Sequence, residues 1–305
     1  MIYAPNLKFI NGVYTWLLSF YNVFKDKYKI TVMSDKDITT FKDKFENYIF
    51  YDENETYQTD ILIYCYYFNH RPYNVQCGQS YTILHCDYGG VEYKTPPVFY
   101  SDENYIAVSD VVATNMKQKF DVLCDSIEGL MIQKPQTRRI LRLISCCQLH
   151  PQKGSHRMER LCKILNEHNI PFIWDNYCKT DVGSTLFKSR DITIKRVLSQ
   201  ANLFDRMADA DYLVQLSDAE GYCRAVHESL LVGTPVLVTD IPIFKDVVIN
   251  GYNGYRLPLD MNEIDIQRIT NDIPRDFEYI NQYEKTINQW EEKFKGAEIC
   301  DANLC

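Results

Sequence analysis

Two carboxylates bracket the start of a helical pattern in AEGYCRAVHESLLVGTPVLVTD, residues 219–240: Glu220 stands beside Gly221, and Glu228 follows with seven residues between. Just upstream, the run DYLVQLS reads as a strand ending at Ser217, and the loop 218–222 leads into a helix containing Ala225, Val226 and Leu230. In doubly wound sheets, ligands lie outside the carboxyl ends of the strands. The first amides of such a helix, near Tyr222, Cys223 and Arg224, have no internal partners, and with the helix dipole they suit an anion such as a phosphate. Gly221 lets the backbone approach closely. Glu220 would repel an anion, so it is better placed to accept hydrogen bonds from hydroxyls beside the phosphate. Glu228, two turns further in, could hold another pair of hydroxyls. A diphosphate flanked by two polyols is a sugar nucleotide. The plainer alternative for Glu228 is a solvated helix face.

The elements that would position these residues follow from periodicity. Short β-branched runs alternate with helical patterns, which argues for parallel α/β architecture. In the first half, residues 1–3, 27–34, 60–67, 80–86 and 104–109 read as strands and 12–24 as a helix after the loop 4–11. The polar stretch MIQKPQTRR, 131–139, reads as a domain linker. In the second half, 140–147, 171–175, 211–217 and 235–240 read as strands. HPQKGS reads as a loop in which Ser155 caps a helix running to about His168. Phe277, Ile280, Tyr283, Ile287, Trp290 and Phe294 recur at spacings of three or four and predict one long apolar helix face. The expected domains are 1–135, 136–272, and a segment 273–305 that packs back on the first.

Composition narrows the partners. The chain has 305 residues, of which 46% are hydrophobic, enough for two cored domains and against disorder. Net charge is −8, and residues 1–135 hold twelve Lys+Arg against seventeen Asp+Glu, which argues against a nucleic-acid binder. Eleven cysteines form no Cys-x-x-Cys pair and no Cys/His cluster at zinc spacing, so they read as reduced thiols of a cytoplasmic protein. His150 and His156 flank Lys153 without a third ligand, so no metal is expected there. The start, MIYAPNLKFINGV, lacks the pattern of a signal peptide, and no run approaches a membrane span. Attachment to a membrane face stays open, as does the oligomeric state. The triad Lys25, Lys27 and Lys29 reads as a solvated face.

EGYCRAVHE, with GTPVLVTD and NGYNGYRL behind it, resembles the donor-binding signature of glycosyltransferase family 4. The resemblance covers about 140–257 and is weaker in the first half. It implies two Rossmann-like domains facing a cleft, the GT-B arrangement, and a retaining, metal-independent transferase whose donor is a nucleoside diphosphate sugar and which needs no cofactor. By that resemblance Glu220 would bind hydroxyls of the donor sugar, Glu228 the ribose, and the amides from Gly221 through Tyr222 and Cys223 to Arg224 the sugar and phosphate. Lys153, in QLHPQKG, would neutralise the pyrophosphate, and Gly12 would sit in a first-domain loop over it. His85 falls near a position where the family often carries a histidine beside the reacting sugar; its plainer alternative is a structural histidine at a strand end. The sequence departs from the family at Gln148, where an arginine is usual. Arg190, Lys195, Arg196 and Arg224 are the candidates to replace that charge. The acceptor would be a hydroxyl of a glycan, glycolipid or protein. Two rivals are a non-catalytic subunit assisting a partner transferase and a transferase acting on a nucleic-acid base.

Overall fold

The structure, a computed structural model, describes residues 1–5, 7, 12–35, 42–68, 70–90, 93, 97–100, 103–116, 120–125, 127, 140–178, 190–196 and 199–295. The expected linker 131–139 and most of the loop 4–11 lie outside the described residues. By contacts the chain divides into residues 1–128 with 282–305, and residues 129–281.

The first unit contains β1 (Ile2–Tyr3), α1 (Gly12–Phe24), β2 (Val32–Ser34), β3 (Tyr48–Phe50), β4 (Tyr57–Cys65), β5 (Val75–Leu84), β6 (Asn104–Ala107), α2 (Asp110–Asn115) and β7 (Asp121–Val122). The second contains β8 (Leu141–Ser145), α3 (Ser155–Glu167), β9 (Phe172–Cys178), β10 (Ile192–Arg196), α4 (Gln200–Ala208), β11 (Tyr212–Gln215), α5 (Arg224–Leu231), β12 (Val236–Thr239), β13 (Gly254–Leu257) and α6 (Ile266–Asn271). The last helix, α7 (Tyr283–Lys295), belongs to the first unit.

Each unit is a parallel sheet, as expected. The first has the order β3-β2-β1-β4-β5-β6-β7 and the second β10-β9-β8-β11-β12-β13. Counted from β8, the second order is 3-2-1-4-5-6, with its switch point between β8 and β11. Register follows from burial on both faces. Tyr212 pairs with Leu143, and Leu143 with Trp174. All of β11 and β12 is buried, which requires helices on both sides. Polar groups inside this core are satisfied: the Trp174 Nε1–H donates to Ser145 Oγ at 2.7 Å, and the Tyr212 hydroxyl donates to the Ile269 carbonyl at 2.9 Å.

In the first unit, α1 turns Trp16, Phe20 and Phe24 inward, and α7 meets that stripe. Trp290 lies 5.1 Å from Phe20 between ring centroids, and Phe294 lies 5.3 Å from Phe24. Lys27, exposed like Lys25 and Lys29 as expected of a solvated face, pairs at the surface with Glu291 of α7. The apolar stripe does not extend as far as expected. Helix α7 begins at Tyr283, Phe277 is buried in the second unit against Tyr252, and Ile280 is 78% exposed. Tertiary anchors override the helical spacing here: Arg275 bonds Asp211 at 2.8 Å, and the Glu278 amide donates to the Tyr252 hydroxyl at 2.9 Å. Other expectations shift at their edges. The expected strand 27–34 shrinks to β2, and β4 and β5 start earlier than anticipated. Ser155 opens α3 without capping it, because Gly154 holds the cap position with no side-chain bond.

Candidate functional site

The loops leaving β8 and β11 meet at the switch point of the second sheet. After β8, residues 146–150 lead into a 3-10 turn, Pro151–Lys153, capped by His150, whose side chain accepts from the Gln152 amide at 3.3 Å. That bond gives His150 a structural role. Gly154 then takes φ +77°, and a Cβ there would stand 1.8 Å from the Leu216 carbonyl oxygen, so the two loops touch backbone to backbone. The Asp218 amide donates to the Gln152 carbonyl at 2.9 Å. Arg157, buried on α3, donates to the Leu216 carbonyl at 3.1 Å, the Asp218 carboxylate at 2.6 Å and the Leu259 carbonyl at 2.7 Å.

This docking brings Lys153 to Glu220. The ammonium and Glu220 Oε2 are 2.9 Å apart, and the carboxylate is 8% exposed. The other oxygen, Oε1, accepts from Ser217 Oγ at 2.6 Å and Gln215 Nε2 at 2.9 Å. Glu220 is therefore aimed by three donors, and a charged acceptor bonded in this way is held strongly. Ser217 and Gln215 were legible only as oddities: polar residues inside the strand run YLVQLS, where a buried polar group must find a partner.

Gly221 and Tyr222 are buried in the loop that follows. Cys223 is the cap of α5 at φ 61° and ψ 65°, a left-handed conformation costly for a residue with a Cβ. Glu228 lies on α5, and the solvated alternative fails because its side chain is buried. Arg224 Nη2 meets Glu228 Oε1 at 3.5 Å across one turn. Burial raises the Glu228 pKa, and Arg224 opposes that shift by charge and by hydrogen bond. Helix α5 ends with Gly233 at φ +76°, the left-handed stop of GTPV. His227 is also buried; its ring stacks on Tyr222 with centroids 4.0 Å apart and planes 4° apart. Burial pushes the Cys147 thiol up to about 12 and raises Cys146 and Cys223 well above the usual range.

The remaining candidates are not members of these two pairs. Gln148 is exposed, and its carbonyl accepts the His150 amide at 2.8 Å. Lys195 and Arg196 close β10, two strands from β8; Lys195 faces Asp175 at 3.8 Å, and Arg190 precedes that strand. In the first unit, Gly12 is the exposed first residue of α1, with nothing within 4 Å of a Cβ built on it. His85, just past β5, is half-buried with its ring edge-on to Trp16 at 5.0 Å. Asp87, two residues on, accepts from the Asn115 side chain at 2.9 Å. Among the described residues no group of three or more His, Cys, Asp or Glu could hold a metal, and no helix is long and apolar enough to cross a membrane.

Residues 186–287 match the family of glycosyl transferases group 1; this segment includes Glu220 and Glu228 but not the Lys153 loop. No curated protein matches the sequence. Among solved structures, the chain is similar to Anabaena Alr3699/HepE, solved with UDP and glucose, at 12% identity and a TM-score of 0.66 over 96% of this chain and 99% of that one. It is similar to a glycosyltransferase from Rickettsia africae at 11% identity and a TM-score of 0.64 over 97% of both. It is also similar to TarM at 14% identity and a TM-score of 0.55, covering 77% of this chain and only 54% of TarM. The chain thus shares its fold with solved glycosyltransferases, and over residues 186–287 it matches the glycosyl transferases group 1.

Proposed function

We propose that the chain is a glycosyltransferase that moves a sugar from a nucleoside diphosphate sugar to a hydroxyl of a glycan, glycolipid or protein, with retention and without a metal. The observation that carries this reading is the Lys153–Glu220 pair at 2.9 Å, placed outside the carboxyl ends of β8 and β11 where such sheets bind ligands. The ammonium has three donors, so its bond to Glu220 leaves it able to meet an anion as well. Glu220, fixed by Ser217 and Gln215, is an acceptor ready for sugar hydroxyls. The amides from Gly221 to Arg224 would meet the diphosphate, and Glu228 would take the ribose by exchanging part of its bond to Arg224. Catalysis would then consist of positioning and of stabilising the departing diphosphate. Gly12 and His85, in the first unit, are assigned to the donor phosphate and the reacting sugar. Alr3699/HepE was solved with UDP, which makes UDP the first nucleotide to test.

Two outcomes check this reading. Glu220→Gln and Glu228→Gln should each weaken donor use by about 1.5–3 kcal/mol while the fold survives, because each removes a charged hydrogen bond. Wild-type kcat/KM in both variants would remove the donor site from this place. Donor turnover should persist in EDTA, since Lys153 and helix amides supply the charge. Loss in EDTA, restored by magnesium or manganese, would overturn the metal-free mechanism.

The non-catalytic reading keeps one specific support. Both cations nearest the two acids, Lys153 and Arg224, are already paired with them, and Gln148 adds no charge. Slow hydrolysis of a sugar nucleotide by the isolated chain would exclude it.

A further inference from the structure

The loop of Gly221, Tyr222 and Cys223 lacks helix or strand hydrogen bonding, and its last residue holds a left-handed backbone. Such a conformation persists only where its surroundings impose it. The surroundings here are a chain of three rings. Tyr222 lies flat on His227, with centroids 4.0 Å apart and planes 4° apart. The Nδ1 of His227 is hydrogen-bonded to the Tyr279 hydroxyl, and the Tyr222 backbone bonds the same imidazole. Burial, reinforced by nearby Arg224 and opposed by the Tyr222 backbone, lowers the His227 pKa to about 3. The ring is therefore neutral at ordinary pH, with one nitrogen to accept a hydrogen bond and one to donate. Tyr279 is itself held, because its segment is fastened by Arg275 to Asp211 and by the Glu278 amide to the Tyr252 hydroxyl.

We propose that His227 and Tyr279 are positioning residues for the diphosphate loop: Tyr279 fixes the imidazole, the imidazole fixes the Tyr222 ring, and that ring sets the amides from Gly221 to Arg224. The inference rests on the reading that this loop binds a nucleoside diphosphate. Neither residue need touch the donor. Because those amides both bind the diphosphate and stabilise its departure, misplacing them weakens nucleotide affinity and lowers kcat/KM.

The test is calorimetric titration of the full chain with UDP, GDP and ADP, followed by donor hydrolysis. Tyr279 is only half-buried, so Tyr279→Phe removes one hydroxyl with little threat to folding. It should weaken the nucleotide that the parent binds by about tenfold and lower donor kcat/KM by a similar factor. His227→Phe, which keeps a flat ring against Tyr222 but loses its hydrogen bonds, should act in the same direction. Tyr252→Phe removes the other hydroxyl that fastens the Tyr279 segment and should leave affinity unchanged. Parental affinity in Tyr279→Phe or in His227→Phe overturns the inference alone, and so does an equal loss in Tyr252→Phe, which would mean that any loosening of the segment suffices. A parent chain that binds none of the three nucleotides overturns the functional reading and this inference with it.

Discussion

Lys153→Ala is expected to lower turnover of a nucleoside diphosphate sugar at least a hundredfold, about 2.7 kcal/mol in the barrier. A departing diphosphate needs more than one positive centre. The helix supplies a fraction of one at its amino end. Of the cations considered for the rest, Arg224 is engaged with Glu228 and Lys195 faces Asp175. Gln148 is neutral and exposed, so the Lys153 charge should matter unusually much. Removing it also releases Glu220 Oε2 from its ion pair, which leaves a buried carboxylate less well compensated. Gln148→Arg should act in the other direction, either raising turnover modestly or tightening nucleoside diphosphate binding, because an arginine pairs with phosphate oxygens bidentately. Steady-state kinetics on the parent and both variants decide this. Equal turnover in Lys153→Ala and parent would show that the loop after β8 does not serve the diphosphate. A non-catalytic subunit would give no turnover in any of the three.

Gly154→Ala should be the most damaging single methyl group in the second unit. Its Cβ would stand 1.8 Å from the Leu216 carbonyl oxygen, at a φ of +77° that favours glycine. Relief requires the two loops to part. That movement would strain the Asp218–Gln152 backbone bond and the Arg157 bond to the Leu216 carbonyl, and would draw Lys153 from Glu220. A loss of about 3 kcal/mol or more in unfolding free energy is expected, together with loss of donor turnover. Gly12→Ala is the contrast, since nothing lies within 4 Å of that added methyl, and its stability should stay within about 0.5 kcal/mol of the parent. Urea unfolding of both variants checks the pair. A Gly154→Ala chain as stable as the parent would mean that the loops do not dock as described.

The two-sheet architecture was legible in the sequence because buried parallel strands carry unmistakable β-branched runs such as PVLVTD. The site was legible in part. Glu220, Glu228 and Lys153 stand out by charge and spacing near strand ends and helix starts. The pairings between them were not legible, since spacing within a chain says nothing about which loops a sheet order brings together. Lys153 and Glu220 are 67 residues apart and meet only because β8 and β11 are neighbours. The burial of His227 was not legible for a related reason. A histidine next to a glutamate looks polar in sequence, and only the rings of Tyr222 and Tyr279 make its burial favourable. The C-terminal stripe failed differently. Phe277 and Tyr279, two residues apart, both turn into the second unit, a spacing that extended chain satisfies and helix does not. The agreement of Phe277 with the helical period further along was coincidence, which tertiary contacts overrode.

The second unit should bind a nucleoside diphosphate at the Lys153–Glu220 pair. Isothermal titration of the parent chain and of Lys153→Ala with UDP, GDP and ADP measures this without knowledge of the acceptor. The predicted result is saturable one-to-one binding of at least one of the three by the parent and a loss of about tenfold or more in Lys153→Ala. No binding by the parent, or binding of the same strength after the lysine is removed, would contradict it.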